Sequence, residues 1–99
     1  MPQIKVSNDV IITKIYGLES TWGKNDKCIR KGKGINGLGF GQRINVDNCY
    51  PTFEAVKSDV NDWLNKRFAE GYSLPEALCY YNTGYKQETC EYYQNYLKL

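Results

Sequence analysis

The chain contains no histidine. Without an imidazole there is no Ser-His-Asp triad, no Cys-His nucleophile pair and no His-ligated metal hydrolysis. Proton transfer is left to carboxylates, tyrosines or lysines, which points toward glycoside chemistry, where carboxylic acids do the work. A CxxC pair is also missing. Cys28, Cys49, Cys79 and Cys90 are dispersed, whereas structural zinc sites usually pair close ligands, so no metal and no cofactor is expected. No apolar run reaches the length of a membrane span. No signal peptide is legible, because Lys5, Asp9 and Lys14 interrupt residues 1–15. The net charge of +2 lacks the strong basic excess of a general nucleic-acid binder.

What is present describes a small folded protein. Ninety-nine residues suit one domain, 1–99. Apolar residues at 41% against 24% charged give the balance of a globular chain rather than a disordered one. A domain of this size buries only ~60–65% of its unfolded surface, so covalent staples would help. Four cysteines allow three connectivities. Cys28–Cys49 and Cys79–Cys90 are expected because each pair brackets a loop, with four reduced, buried thiols as the alternative. Disulfides would imply an oxidising compartment. Lys24, Lys27, Arg30, Lys31 and Lys33 crowd together beside a single acid, Asp26. They form either a solvated loop or a patch that attracts an anionic polymer such as a bacterial wall.

Periodicity predicts a mainly helical chain. Val10, Ile11, Ile15, Tyr16 and Leu18 recur at helical spacing over residues 8–20, with Asn8 as cap. Residues 22–46 read as a loop rich in glycine, and any strand should be short and lie inside it. Pro51 and Thr52 open a second helix, whose face carries Phe53, Val56, Val60, Trp63, Leu64 and Phe68 up to residue 70, with Gly71 as its stop. Ser73-Leu74-Pro75-Glu76 is a capping box that starts a helix over 74–82, ended by Gly84. A last helix is predicted over 87–97, carrying Tyr92, Tyr93, Tyr96 and Leu97. Glu19 thus falls at the C-terminal end of an apolar helix. There the helix dipole and burial would disfavour its anion, which suits a general acid; the alternative is an exposed Glu on a fraying helix end. Nine tyrosines and two tryptophans supply aromatic faces that can stack on sugar rings, although Trp63 reads as core.

Three segments, in order, resemble the signature of lytic transglycosylases of the lysozyme-like superfamily. Residues 12–20, Ile-Thr-Lys-Ile-Tyr-Gly-Leu-Glu-Ser, resemble the family's apolar helix ending in Glu-Ser. Gly39-Phe40-Gly41-Gln42 is similar to its Gly-Leu-Met-Gln turn, with Gly41 in place of Met. Ala77-Leu78-Cys79-Tyr80-Tyr81-Asn82-Thr83-Gly84 looks like its Ala-Tyr-Asn-Ala-Gly helix end, with Thr83 in place of the second Ala. The resemblance spans residues 11–96 and implies an α+β, predominantly helical, lysozyme-like fold.

It also implies a function. The domain would cleave the β-1,4 bond between N-acetylmuramic acid and N-acetylglucosamine, and the muramoyl 6-hydroxyl would attack in place of water to leave a 1,6-anhydro end. Glu19 would be the catalytic acid and then the base, with Ser20 orienting it. Gly39, Phe40 and Gln42 would line the cleft, and Tyr81 and Asn82 would bond to Glu19 or to the N-acetyl groups. The partner is the peptidoglycan glycan strand, met outside the cell, in the periplasm or on a virion, alone or within a larger wall-penetrating assembly. Two alternatives stay open. A hydrolytic muramidase would need a second carboxylate or a held water; Asp26 and Asp47 are the candidates, though each also reads as a turn or loop charge. A non-catalytic wall-binding or structural module of a phage tail or secretion system would keep the fold without the reaction.

Overall fold

A computed structural model describes residues 6–41 and 48–99. Along them run α1 (Asn8–Ser20), α2 (Lys27–Arg30), α3 (Phe53–Ala69), α4 (Leu74–Thr83) and α5 (Glu91–Leu97). Helix takes up 58% of these residues, and among them strand pairing is limited to one antiparallel bridge, Ile35 to Tyr50. The predominantly helical class is therefore present, with its β component reduced to that bridge. The chain gathers into two compact units, Met1–Asn61 and Asp62–Leu99, with α3 contributing to both.

In the first unit, α1 spans the expected residues, but its cap is one residue earlier than the sequence suggests. Ser7 is extended, and its hydroxyl accepts the Val10 N–H at 3.3 Å, satisfying one of the free N–H groups of the first turn. The Asn8 amide instead donates to Asn61 Oδ1 at 2.9 Å. Ile11, Ile12 and Ile15 of α1 are buried with Val56, Val60 and Leu38. Each such side chain contributes ~1.5–3 kcal/mol when fully removed from water. Tyr16 stacks obliquely on Phe53, with ring centroids 4.8 Å apart. The disulfide Cys28–Cys49 closes this unit's loop, as its bracketing of that loop predicts.

In the second unit the capping box is complete. Ser73 Oγ accepts the Glu76 N–H at 3.3 Å, and Glu76 Oε1 accepts the Ser73 N–H at 2.9 Å. Leu64, Ala77, Leu78 and Cys79 are buried, along with Tyr92 and Tyr96 of α5. Trp63 is half-buried within an aromatic group around Arg67, whose guanidinium stands 5.5, 5.8 and 5.7 Å from the ring centres of Trp63, Tyr72 and Tyr80. Cation–π attraction of this kind is stronger where water is partly excluded. The second disulfide, Cys79–Cys90, joins α4 to the residue that caps α5. Because Cys90 Sγ accepts the Tyr93 N–H at 3.4 Å, α5 starts at Glu91 rather than at 87. The residues before it, 84–89, are exposed and bury nothing that would favour helix.

Candidate active site

Glu19 lies in the last turn of α1 and is half-buried. The helix ends immediately after it because Thr21 and Trp22 both adopt left-handed backbone, at φ 51° and 53°. That turn is tied down on several sides. The Thr21 N–H donates to Gly17 O at 3.0 Å, and the Trp22 N–H donates to Tyr16 O at 3.3 Å. The buried hydroxyl of Ser20 donates to Tyr16 O at 3.3 Å and accepts the Gly23 N–H at 2.9 Å. Ser20 therefore stiffens the backbone that carries Glu19. The indole of Trp22 folds back over Gly17, where a Cβ would lie 2.6 Å from Cζ2.

The glycine-rich loop reaches Glu19 from twenty residues further along the chain. Gly39 has φ 63°, and a Cβ placed on it would lie 3.2 Å from Cδ and 3.4 Å from Cγ of Glu19, and nearer still to Oε1. Only glycine combines that backbone conformation with so close an approach. Two of the motif segments thus meet at one carboxylate. Phe40 follows Gly39 and is half-buried.

What holds the loop in place is a buried polar network that the sequence does not announce. Asp26 is 3% exposed and caps α2, with Oδ1 accepting the Cys28 N–H at 2.9 Å. Its Oδ2 accepts the Asn36 N–H at 2.9 Å. Asn36, 2% exposed, donates from Nδ2 to Phe40 O at 2.8 Å and to Asn48 O at 2.7 Å, and its Oδ1 accepts the Phe40 N–H at 3.0 Å. Asn48 Nδ2 also donates to Phe40 O, at 3.1 Å. Gly39 N–H donates to Asn36 O at 3.1 Å, and the Ile35–Tyr50 bridge, 2.8 Å in both directions, closes the base of the loop. Buried polar groups are stable only when paired in this way. Asp26 is therefore a scaffold residue, with both carboxylate oxygens engaged by backbone N–H groups. Asp47 and Gln42 lie outside the described residues. Asn36 is the residue that sequence reasoning missed. Its one local signal is the Asn36-Gly37 dipeptide, a turn pair, which says nothing of its reach to Asn48.

The third motif segment belongs to the second unit. Tyr81 and Asn82 close α4 and are half-buried. Tyr81 meets Trp63 edge-on, at a centroid distance of 5.4 Å. Thr83 Oγ1 donates to Cys79 O at 2.8 Å, the Gly84 N–H donates to Tyr80 O at 2.9 Å, and Gly84 ends the helix at φ 82°. The Cys79–Cys90 disulfide spans this helix end. Among the described residues no group of three or more His, Cys, Asp and Glu side chains is arranged to hold a metal ion, and no helix is long and apolar enough to cross a membrane.

No protein-family model matches this chain, and neither a curated protein nor a solved structure matches it.

Proposed function

We propose that this chain is a lysozyme-like, peptidoglycan-cleaving domain that acts as a lytic transglycosylase, with Glu19 as its catalytic acid and base. The observation that carries the reading is the apposition of Gly39 and the Glu19 carboxylate. It joins the Glu-Ser helix end to the glycine loop that resembles the family's turn, at a carboxylate able to move a proton in this chemistry.

In the reaction, Glu19 donates its proton to the glycosidic oxygen of the N-acetylmuramic acid–N-acetylglucosamine bond as the C1–O bond breaks. The 6-hydroxyl of the same muramoyl residue then attacks C1 and returns its proton to Glu19. The result is one 1,6-anhydro end and one free 4-hydroxyl, with no water consumed. Positioning does much of the work, because an intramolecular nucleophile needs only the right geometry. The stiff turn behind Glu19 and the Asn36-anchored loop in front of it supply two fixed walls for that carboxylate. The resemblance alone gives Tyr81 and Asn82 the N-acetyl groups and gives Gln42 and Phe40 the lining of the cleft. Two disulfides fit an oxidising location, whether extracellular, periplasmic or on a virion. Asp26, buried with both oxygens engaged, is a poor second carboxylate for a hydrolytic muramidase.

Digestion of purified peptidoglycan, with the released muropeptides weighed by mass spectrometry, tests this reading. Fragments ending in 1,6-anhydromuramic acid, absent with Glu19→Gln, are expected. Reducing-end fragments one water heavier would make the protein a muramidase. No fragments from any wall type would leave a binding or structural module.

A further inference from the structure

We infer that the segment from residue 24 to residue 33 is a docking site for a linear phosphodiester polymer of the bacterial wall, separate from the Glu19 carboxylate. The inference rests on the wall as the protein's target, though not on cleavage of it. The sequence shows five cations and one acid here but not how they are arranged. The fold resolves that. Asp26, the single acid, turns inward and spends both oxygens on backbone N–H groups. Lys24, Lys27, Arg30, Lys31 and Lys33 are all exposed. The charge that the segment presents outward is therefore all positive.

The order in this segment is built in rather than incidental. Residues Lys27–Arg30 form α2, which the sequence reads as plain loop. Lys27 and Arg30 stand three apart on it and Lys31 caps it, so the three share one face at the ~5–6 Å spacing of helical neighbours. Asp26 caps the other end, and Cys28, buried beneath, is bonded to Cys49. The Arg30 guanidinium is steadied by Asn25 Oδ1. A cationic face held by a cap, a disulfide and a buried network loses little freedom on meeting a polyanion.

Charge is also polarised along the chain. The whole sequence has thirteen basic and eleven acidic residues, and residues 24–33 hold five of the basic and one of the acidic. The remainder, with eight basic and ten acidic, carries a net −2, so a long polyanion is drawn to this segment and not to the protein at large. A polyol-phosphate chain presents one negative charge per repeat along a flexible backbone, which matches several cations in a row. A lipid surface fits less well, because the exposed apolar side chains here amount to Trp22 and Ile29, too few for an interfacial helix.

The experiment uses Glu19→Gln, so that binding is read without cleavage, on sacculi that keep their phosphate polymer and on sacculi stripped of it by hydrofluoric acid. The protein should bind intact sacculi at least ten-fold more tightly than stripped ones. The advantage should shrink as salt rises, as counterion release requires. Adding Lys27→Gln, Arg30→Gln and Lys31→Gln should remove the advantage while leaving binding to stripped sacculi unchanged, with circular dichroism confirming the fold. In a protein with Glu19 intact, the triple variant should still cleave stripped walls at the normal rate. Equal binding to intact and stripped sacculi overturns the proposal, as does a triple variant that binds intact sacculi normally. So does competition by polyglutamate or by anionic phospholipid vesicles as strong as that by a soluble glycerol-phosphate polymer. If phosphate-dependent binding is seen but no wall is ever cleaved, the docking site stands and the catalytic reading falls. Cleavage without phosphate-dependent binding gives the reverse.

Discussion

Gly39 stands against Glu19 with no room for a side chain between them: a Cβ on Gly39 would lie 3.2 Å from the Glu19 Cδ. Gly39→Ala should therefore displace the carboxylate or push the loop away from it. The left-handed backbone at φ 63° adds ~1–2 kcal/mol of strain for any residue with a Cβ. A misplacement of ~1 Å at a catalytic group costs on the order of a hundred-fold in rate. The proposed wall-cleaving activity should fall by at least that factor, while the thermal melt shows a protein that is weakened and still folded. A Gly39→Ala protein of full activity would mean that Glu19 is not the working acid.

The loop that brings Gly39 to Glu19 depends on Asp26 and Asn36. Asp26→Ala would leave the N–H groups of Cys28 and Asn36 buried without partners, each at ~1–3 kcal/mol. Asn36→Ala would strip three hydrogen bonds from Phe40 and Asn48. Each variant should lower the urea midpoint clearly. The double variant should lose less than the sum of the two, because both residues belong to one network. Additive losses in urea titrations would show that the two act independently.

That network marks the limit of what the sequence discloses. Helices with strong local signals are legible. The capping box at Ser73 and Glu76 and the apolar spacing of α1 state their own boundaries, and the bracketed loops give both disulfide pairs. Where the deciding interaction is distant, the sequence is silent. Nothing near Asn36 tells of Asn48, and four residues are too few for α2 to show a period. The start of α5 is misread at 87 because Lys86, Gln87 and Glu88 look like helix formers, whereas Cys90, bonded to Cys79, is the residue that caps. Similarly, Ser7 caps α1 because Asn8 is engaged by Asn61, fifty-three residues away. At the site, Glu19 and Gly39 are separately visible as motif residues, but their apposition exists only in three dimensions.

Each disulfide encloses one of the motif segments: Cys28–Cys49 the glycine loop, and Cys79–Cys90 the residues Tyr81 and Asn82. A closed loop of this kind contributes ~2–4 kcal/mol by restricting the unfolded chain, more for the longer loop. The pair variant Cys28→Ser with Cys49→Ser should therefore lose more stability than Cys79→Ser with Cys90→Ser. It should also lose activity, since the loop against Glu19 would no longer be pinned at its base. Thermal melts and wall digestion of both variants decide this. A Cys28/Cys49 variant with unchanged activity would show that the hydrogen bonds of Asn36 suffice alone.

Tyr50 links the base of the same loop to α3, its O–H donating to Asp59 Oδ2 at 2.8 Å. Burial raises its pKa above the ordinary phenol value, and the hydrogen bond to Asp59 and the negative charge there raise it further. Burial pushes Tyr96 in the same direction. A raised value means that the folded state holds the phenol proton more tightly than the unfolded chain does. The stabilisation is thus whole below the unfolded value of ~10 and is lost as pH climbs through the higher folded one. Other groups also lose protons at alkaline pH, so the comparison must be made between variants. Melting temperatures followed from neutrality to strongly alkaline pH should fall more steeply for the native protein than for Tyr50→Phe, which has no proton to lose there. Parallel curves for the two proteins would show that the Tyr50–Asp59 bond contributes nothing to the alkaline limit of stability.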